Sequence, residues 1–227
     1  LSPAAGEKYQ AGKANVIRWE GISPVKIEFW NGSGWSVLTS SANGGTYNWN
    51  ISSGQAAGAN YKIRISDPSN ASFNVESELF TINKLTIMRP VGGEIYFAGK
   101  ENAINWNGEM LGTVKIEYSS NGGTNWTTLA SGISGSIGTW PWNISGTEQS
   151  TANGKIRIVE EGSNTNTSSE SGAAFKIAKI SIVAPTAGAV IQSGRSYKIR
   201  WTSEQIENVK IRYSSDGGNS WTTIETS

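Results

Sequence analysis

Val114-Lys115-Ile116-Glu117-Tyr118, followed by Ser119-Ser120-Asn121-Gly122-Gly123-Thr124-Asn125-Trp126, is the stretch on which the fold turns. In an extended chain Val114, Ile116 and Tyr118 project to one side and Lys115 and Glu117 to the other. That period of two is the signature of a half-buried β-strand. The Gly-rich run behind it is turn chemistry, with Asn to bond nearby amides and Gly to accept positive φ. The unit returns as Val25-Lys26-Ile27-Glu28-Phe29 ahead of Asn31-Gly32-Ser33-Gly34-Trp35. It returns again as Val209-Lys210-Ile211-Arg212-Tyr213 ahead of Ser214-Ser215-Asp216-Gly217-Gly218-Asn219-Ser220-Trp221. A strand, a turn and a Trp therefore occur three times, and the chain reads as a tandem repeat.

Moving outward, Pro3 to Trp19, Pro90 to Trp106 and Pro185 to Trp201 each span 16 positions. The later half of the unit occurs only twice, as Trp49-Asn50-Ile51-Ser52 with Lys62-Ile63-Arg64-Ile65 and as Trp142-Asn143-Ile144-Ser145 with Lys155-Ile156-Arg157-Ile158. About seven short strands per unit are expected, in the second at 85–89, 102–106, 113–119, 125–130, 137–143, 154–160 and 173–178. No segment has a helical period. The pattern predicts an all-β chain of tandem immunoglobulin-like antiparallel β-sandwich modules, two complete and a third partial, over 1–84, 85–179 and 180–227. Phe80 to Pro90 and Phe175 to Pro185 are each 10 positions apart with no Gly/Ser-rich linker between. The last strand of one module should run directly into the first of the next, giving a stiff joint and an extended rod. The third module stops near the end of its fourth strand. Two expectations stand side by side: that the native chain continues, and that strands of a neighbouring chain complete the sandwich. The opening Leu1-Ser2-Pro3 reads as the start of a mature or excised segment.

The composition excludes several chemistries. A net charge of +1 with 16% charged residues leaves no electrostatic footprint for nucleic acid. With no His and no Cys, a Ser-His-Asp triad, a Cys nucleophile, an ordinary zinc site and a disulfide framework are all out of reach, and no cofactor is expected. No apolar run approaches the roughly 20 residues of a membrane-spanning helix. Asp occurs only at Asp67 and Asp216, too sparse for a calcium loop. Glu28, Glu117 and Glu160 are expected on solvated faces, and no carboxylate pair suggests a glycosidase.

Of the ten tryptophans, Trp19, Trp106, Trp201, Trp35, Trp126, Trp221, Trp49 and Trp142 recur with the module and are expected in the cores. Trp30 and Trp140 have no Trp counterpart elsewhere, so they are the expected exposed pair and the candidates for stacking on a glycan. The segment Ser214–Trp221 matches the Asp-box pattern, and its relatives at 119–126 and 30–35 are expected to act as hairpin staples. Six Asn-x-Ser/Thr sequons, at Asn31, Asn50, Asn70, Asn125, Asn143 and Asn166, are candidate glycosylation acceptors.

The run Pro-x-x-Gly-Glu-x-x-x-x-Gly to Ile-x-Trp, continued by Val-Lys-Ile-Glu-Tyr-Ser-x-x-Gly-Gly-x-x-Trp, resembles the Kre9/Knh1-type Ser/Thr-rich surface-domain family. The resemblance covers both full modules and the partial third. It implies immunoglobulin-like repeats in an extracellular or cell-surface setting and carries no catalytic residue. The expected function is a non-catalytic structural protein forming a stalk, surface layer or filament. Its expected partners are copies of itself or another cell-surface protein. A carbohydrate-binding or spacer region of a larger secreted enzyme or adhesin, with a polysaccharide as ligand, is the alternative.

Overall fold

In the first module, alternating β-branched and aromatic residues bounded by Gly, Asn and Ser form β1 (Lys8–Gln10), β2 (Ala14–Arg18), β3 (Val25–Trp30), β4 (Trp35–Ala42), β5 (Thr46–Asn50), β6 (Gly58–Asp67) and β7 (Asn70–Glu76). The computed structural model describes residues 1–162 and 166–226. β2 pairs antiparallel with β5 in one sheet. The facing sheet runs β4, β3, β6 and then β8 (Phe80–Arg89), with β1 parallel to β8 and β7 extending β6. Between the sheets Ile17, Val25, Ile27, Ile63 and Ile82 are fully buried. Trp49 lies among the rings of Phe29, Tyr9 and Phe80, at centroid distances of 4.8, 6.2 and 6.3 Å.

The second module repeats this arrangement with β9 (Ile95–Phe97), β10 (Glu101–Glu109), β11 (Thr113–Ser119), β12 (Thr127–Ser134), β13 (Thr139–Asn143), β14 (Thr151–Glu160) and β15 (Ser168–Glu170). Its closing strand is β16 (Phe175–Ala184). Trp142 takes the place of Trp49, 5.5 Å from Tyr96, 5.6 Å from Tyr118 and 5.7 Å from Phe175. Trp19 and Trp106 are buried as expected, and each donates its indole N–H to a backbone carbonyl, Ile22 at 3.2 Å and Gly135 at 2.7 Å. The three-residue strands β1, β9 and β15, and the exposed β7, carry too little pattern to be read from sequence. They are held in the sheets by pairing.

β8 belongs to both modules. Phe80 and Ile82 pair with β6 of the first, whereas Lys84 to Arg89 pair with β10 of the second. β16 does the same further on, pairing with β14 and then with β17 (Arg200–Glu204). The third unit holds β17 and the hairpin of β18 (Lys210–Tyr213) with β19 (Thr222–Thr226). Its pairings follow the register of the second module, Trp201↔Ile182 matching Trp106↔Ile87 and Arg212↔Thr223 matching Glu117↔Thr128. With only the first-half strands in place, Trp201 is 40% and Ile182 73% exposed. Burial of Trp201 is thus not achieved, because its covering partners belong to the later strands.

The two complete cores are filled differently. The first places Phe29 and Tyr61 in contact, 5.4 Å between centroids. At the equivalent positions the second has Tyr118 and Gly154, and the vacated space is taken by the ring of Phe175. A Cβ at Gly154 would stand 2.4 Å from that ring, which is itself fully buried. Gly154→Ala is therefore expected to destabilise the second module by about 1–3 kcal/mol, measured by chemical denaturation. Unchanged stability would show that the ring has room to move.

Candidate functional site

Two side-chain constellations stand out among the described residues. One repeats on the outer face of the larger sheet. Glu28 on β3 accepts from Arg64 of β6 at 2.9 Å and from Lys26 at 2.8 Å. The equivalent Glu117 on β11 accepts from Arg157 of β14 at 2.7 Å and from Lys115 at 2.6 Å. Each guanidinium in turn covers a Trp ring, Arg64 over Trp35 at 4.2 Å and Arg157 over Trp126 at 4.3 Å. Each face is thus a Lys–Glu–Arg–Trp ladder.

Trp35 and Trp126 are consequently not core residues. They are half-buried on the outside under arginine, and Trp221, with Arg212 5.8 Å away, is 55% exposed. Module periodicity marks them because the ladder repeats as faithfully as the core does. Glu28 and Glu117 are likewise not on solvated faces, being only 8% and 5% exposed. Partial burial pushes their carboxyls up, but hydrogen bonds from lysine and arginine outweigh it and hold both below the usual range.

The turns beneath the ladder are built as read. Ser119 Oγ accepts from the amides of Asn121 and Gly123 at 3.2 and 2.9 Å, and Asn121 Oδ1 from that of Asn125 at 2.9 Å. In the third unit Ser220 donates both its amide and its hydroxyl to Asp216, at 2.9 and 2.6 Å. These bonds hold the Asp216 carboxyl well below the usual range. Asn31 collapses the shorter first turn by accepting from Ser33 and Gly34, both amides at 3.0 Å.

The expected exposed pair, Trp30 and Trp140, is not a pair. Trp140 on β13 is half-buried against the second core, where Tyr47 of β5 is its counterpart in the first. The counterpart being a tyrosine, Trp-to-Trp spacing alone does not reveal it. Trp30 is also half-buried and lies 5.6 Å from Trp35, so the aromatic couple on one face is Trp30 with Trp35. The six sequon residues, Asn31, Asn50, Asn70, Asn125, Asn143 and Asn166, are all exposed.

The second constellation sits at the joint of the first two modules. Glu160, at the end of β14 and only 3% exposed, receives Lys8 of β1, Asn83 Nδ2 of β8 at 2.7 Å and the Gly112 amide at 2.8 Å. Gln10 exchanges a pair of hydrogen bonds with the backbone of Ser168, at 3.0 and 3.1 Å. Ser169 Oγ accepts from the Ile87 amide at 3.2 Å. A solvated Glu160 was expected, and this network is the reason it is buried instead. Beside it opens a polar cleft of about 500 Å³ bordered by Glu7, Lys13, Asn15, Arg18 and Ser168. None of these groups is arranged as a nucleophile with its base. Glu160 is taken up in its ion pair with Lys8, and Glu7 accepts from the Ser2 hydroxyl at 2.9 Å; elsewhere Glu94 holds a turn by accepting the Val91 and Gly92 amides at 2.7 Å each. Among the described residues no cluster of metal-ligating side chains occurs.

Residues 2–82 match the family model of the Kre9/KNH-like N-terminal Ig-like domain. Among solved structures, the fibronectin(III)-like modules of Clostridium thermocellum CbhA are 19% identical, over 78% of this chain and 90% of that one, with a TM-score of 0.27. A titin I-band fragment is 12% identical over 87% and 83%, with a TM-score of 0.31. The N-terminal four Ig domains of Dscam1 are 11% identical, cover 77% of this chain and 44% of theirs, and give a TM-score of 0.28. No curated protein matches the chain.

Because the folded Glu117 carboxyl titrates low, its contribution to stability is complete above the unfolded value of about 4.3. It fades as pH falls through the lower folded value. Arg157→Gln is expected to move the Glu117 titration upward, read by NMR of the side-chain carboxyl carbon. A titration unchanged by the substitution would remove Arg157 as its cause.

Proposed function

We propose, from the match of residues 2–82 to the Kre9/KNH-like Ig-like domain, that the chain is a non-catalytic structural part of a cell-surface or extracellular protein. Its tandem sandwiches build a stiff stalk, surface layer or filament, through contacts with copies of itself or with other surface proteins. The observation that carries this reading is the joint: one uninterrupted strand, β8, shared by two modules and flanked by the Lys8–Glu160–Asn83 cluster. A hinge between two sandwiches requires backbone that belongs to neither. Here Asn83 pairs with Gln10 of the first module and bonds to Glu160 of the second, and Leu85 pairs with Gly108 while its carbonyl accepts from Gln10, which resists bending. The family resemblance supports the extracellular setting.

A second reading, binding of a polysaccharide, has one observation in its favour. Trp30 and Trp35 form adjacent, partly exposed rings on a single sheet face. Loss of polysaccharide retention on Trp30→Ala would favour that reading. Retention unchanged by both Trp30→Ala and Trp140→Ala would remove it.

Small-angle scattering of the purified chain is expected to give a rod-like particle of fixed length. Glu160→Ala removes the acceptor that Lys8, Asn83 and the Gly112 amide share, leaving Asn83 with Thr167 alone, costing about 1–3 kcal/mol, and should broaden the distance distribution while both sandwiches stay folded. An already flexible native chain would count against the stalk.

A further inference from the structure

The open third unit carries a record of the strand it receives. In the complete modules the free edge of β3 or β11 is taken by β6 or β14, which place Ile63 and Ile65, or Ile156 and Ile158, in the core. The arginine between those isoleucines stands directly opposite Glu28 or Glu117. β18 has the same register toward its other neighbour, yet Arg212 stands where those glutamates stand. A strand of the Ile-Arg-Ile type would set guanidinium against guanidinium, and like charges directly opposite destabilise a pairing. The groove that the strand would fill is already apolar, about 260 Å³ bordered by Ile180, Ile182, Trp201, Ile211 and Trp221.

The joint has changed in the same sense. Lys8, Gln10 and Asn83, which meet the end of β14 and the start of β15, correspond to Ile95, Phe97 and Ala178 one module later. Ile95 and Phe97 are 51% and 41% exposed, whereas Gln10 is 5% exposed under the second module. The position of Glu160 is therefore expected to be apolar in whatever covers them, since a carboxylate there would lose both side-chain partners, Lys8 and Asn83, that it has at the first joint.

We propose that the free edge of β18 receives, antiparallel, a β-strand of the pattern aliphatic–acidic–aliphatic–any–apolar. Its acid pairs with Arg212 and its last apolar residue covers Ile95 and Phe97. The occupant deepens the structural reading above and rests on it, because a filled third sandwich would extend the rod by one module.

The test uses the 227-residue chain and labelled peptides copying residues 153–161. One peptide is unaltered and one carries Arg157→Glu with Glu160→Leu. A third carries Glu160→Leu alone, so that charge and apolar cover are read separately. The doubly altered peptide is expected to bind at least tenfold more tightly than the one keeping arginine, and to protect the β18 amides from hydrogen exchange. On the Arg212→Glu chain the order of the two should invert. Equal binding, or an order that survives Arg212→Glu, would overturn the proposal. So would a chain that dimerises with β18 already protected, which would make a second copy the occupant. Rod stiffness measured by scattering is independent of peptide binding, so failure of either claim is seen separately.

Discussion

A strand that changes sheets without leaving the hydrogen-bonded ladder is the constraint on which the rest of this molecule depends. β8 closes the larger sheet of one sandwich through Phe80 and Ile82 and opens the smaller sheet of the next through Leu85 and Ile87. All four side chains are buried. The crossing therefore leaves no unpaired linker between the two sandwiches. Asn83 sits at the change-over, fully buried, and its amide is met by Glu160 and Thr167 of the second module. Polar groups there supply direction as well as adhesion, since a buried donor tolerates few geometries.

The same economy of parts explains the outer ladders. A Trp ring at the end of a Gly-rich turn would be an exposed apolar surface. Arg64 and Arg157 cover it, and Glu28 and Glu117 neutralise the arginine. The strands β3, β6, β11 and β14 are thus tied on the face away from the core as well as within it. The face then offers little free aromatic surface except where Trp30 adds a second ring beside Trp35.

Much of the architecture was legible in the residue pattern. Alternation in Val114–Tyr118 and Lys155–Ile158 places those residues correctly in and out, and the Asp-box turns form the bonds their residue types suggest. Three things were not. Periodicity alone assigned Trp35 and Trp126 to the core, because an outer ladder repeats with the same period. Glu160 looked like one more surface carboxylate, since its partners Lys8 and Asn83 lie 152 and 77 positions away. Trp140 looked unmatched until the pairing of β13 with β10 set it beside Ile104, as Tyr47 is set beside Ile17.

By itself the sequence determined the tandem all-β plan, because period-two alternation and turn residues act locally and repeat with the module. Only the tertiary structure decided which repeated residues are core and which are outer ladder, and that the joint is a buried polar cluster. Those outcomes depend on what a side chain meets across a sheet or across a module boundary. That encounter is set by pairing register between strands far apart in the chain.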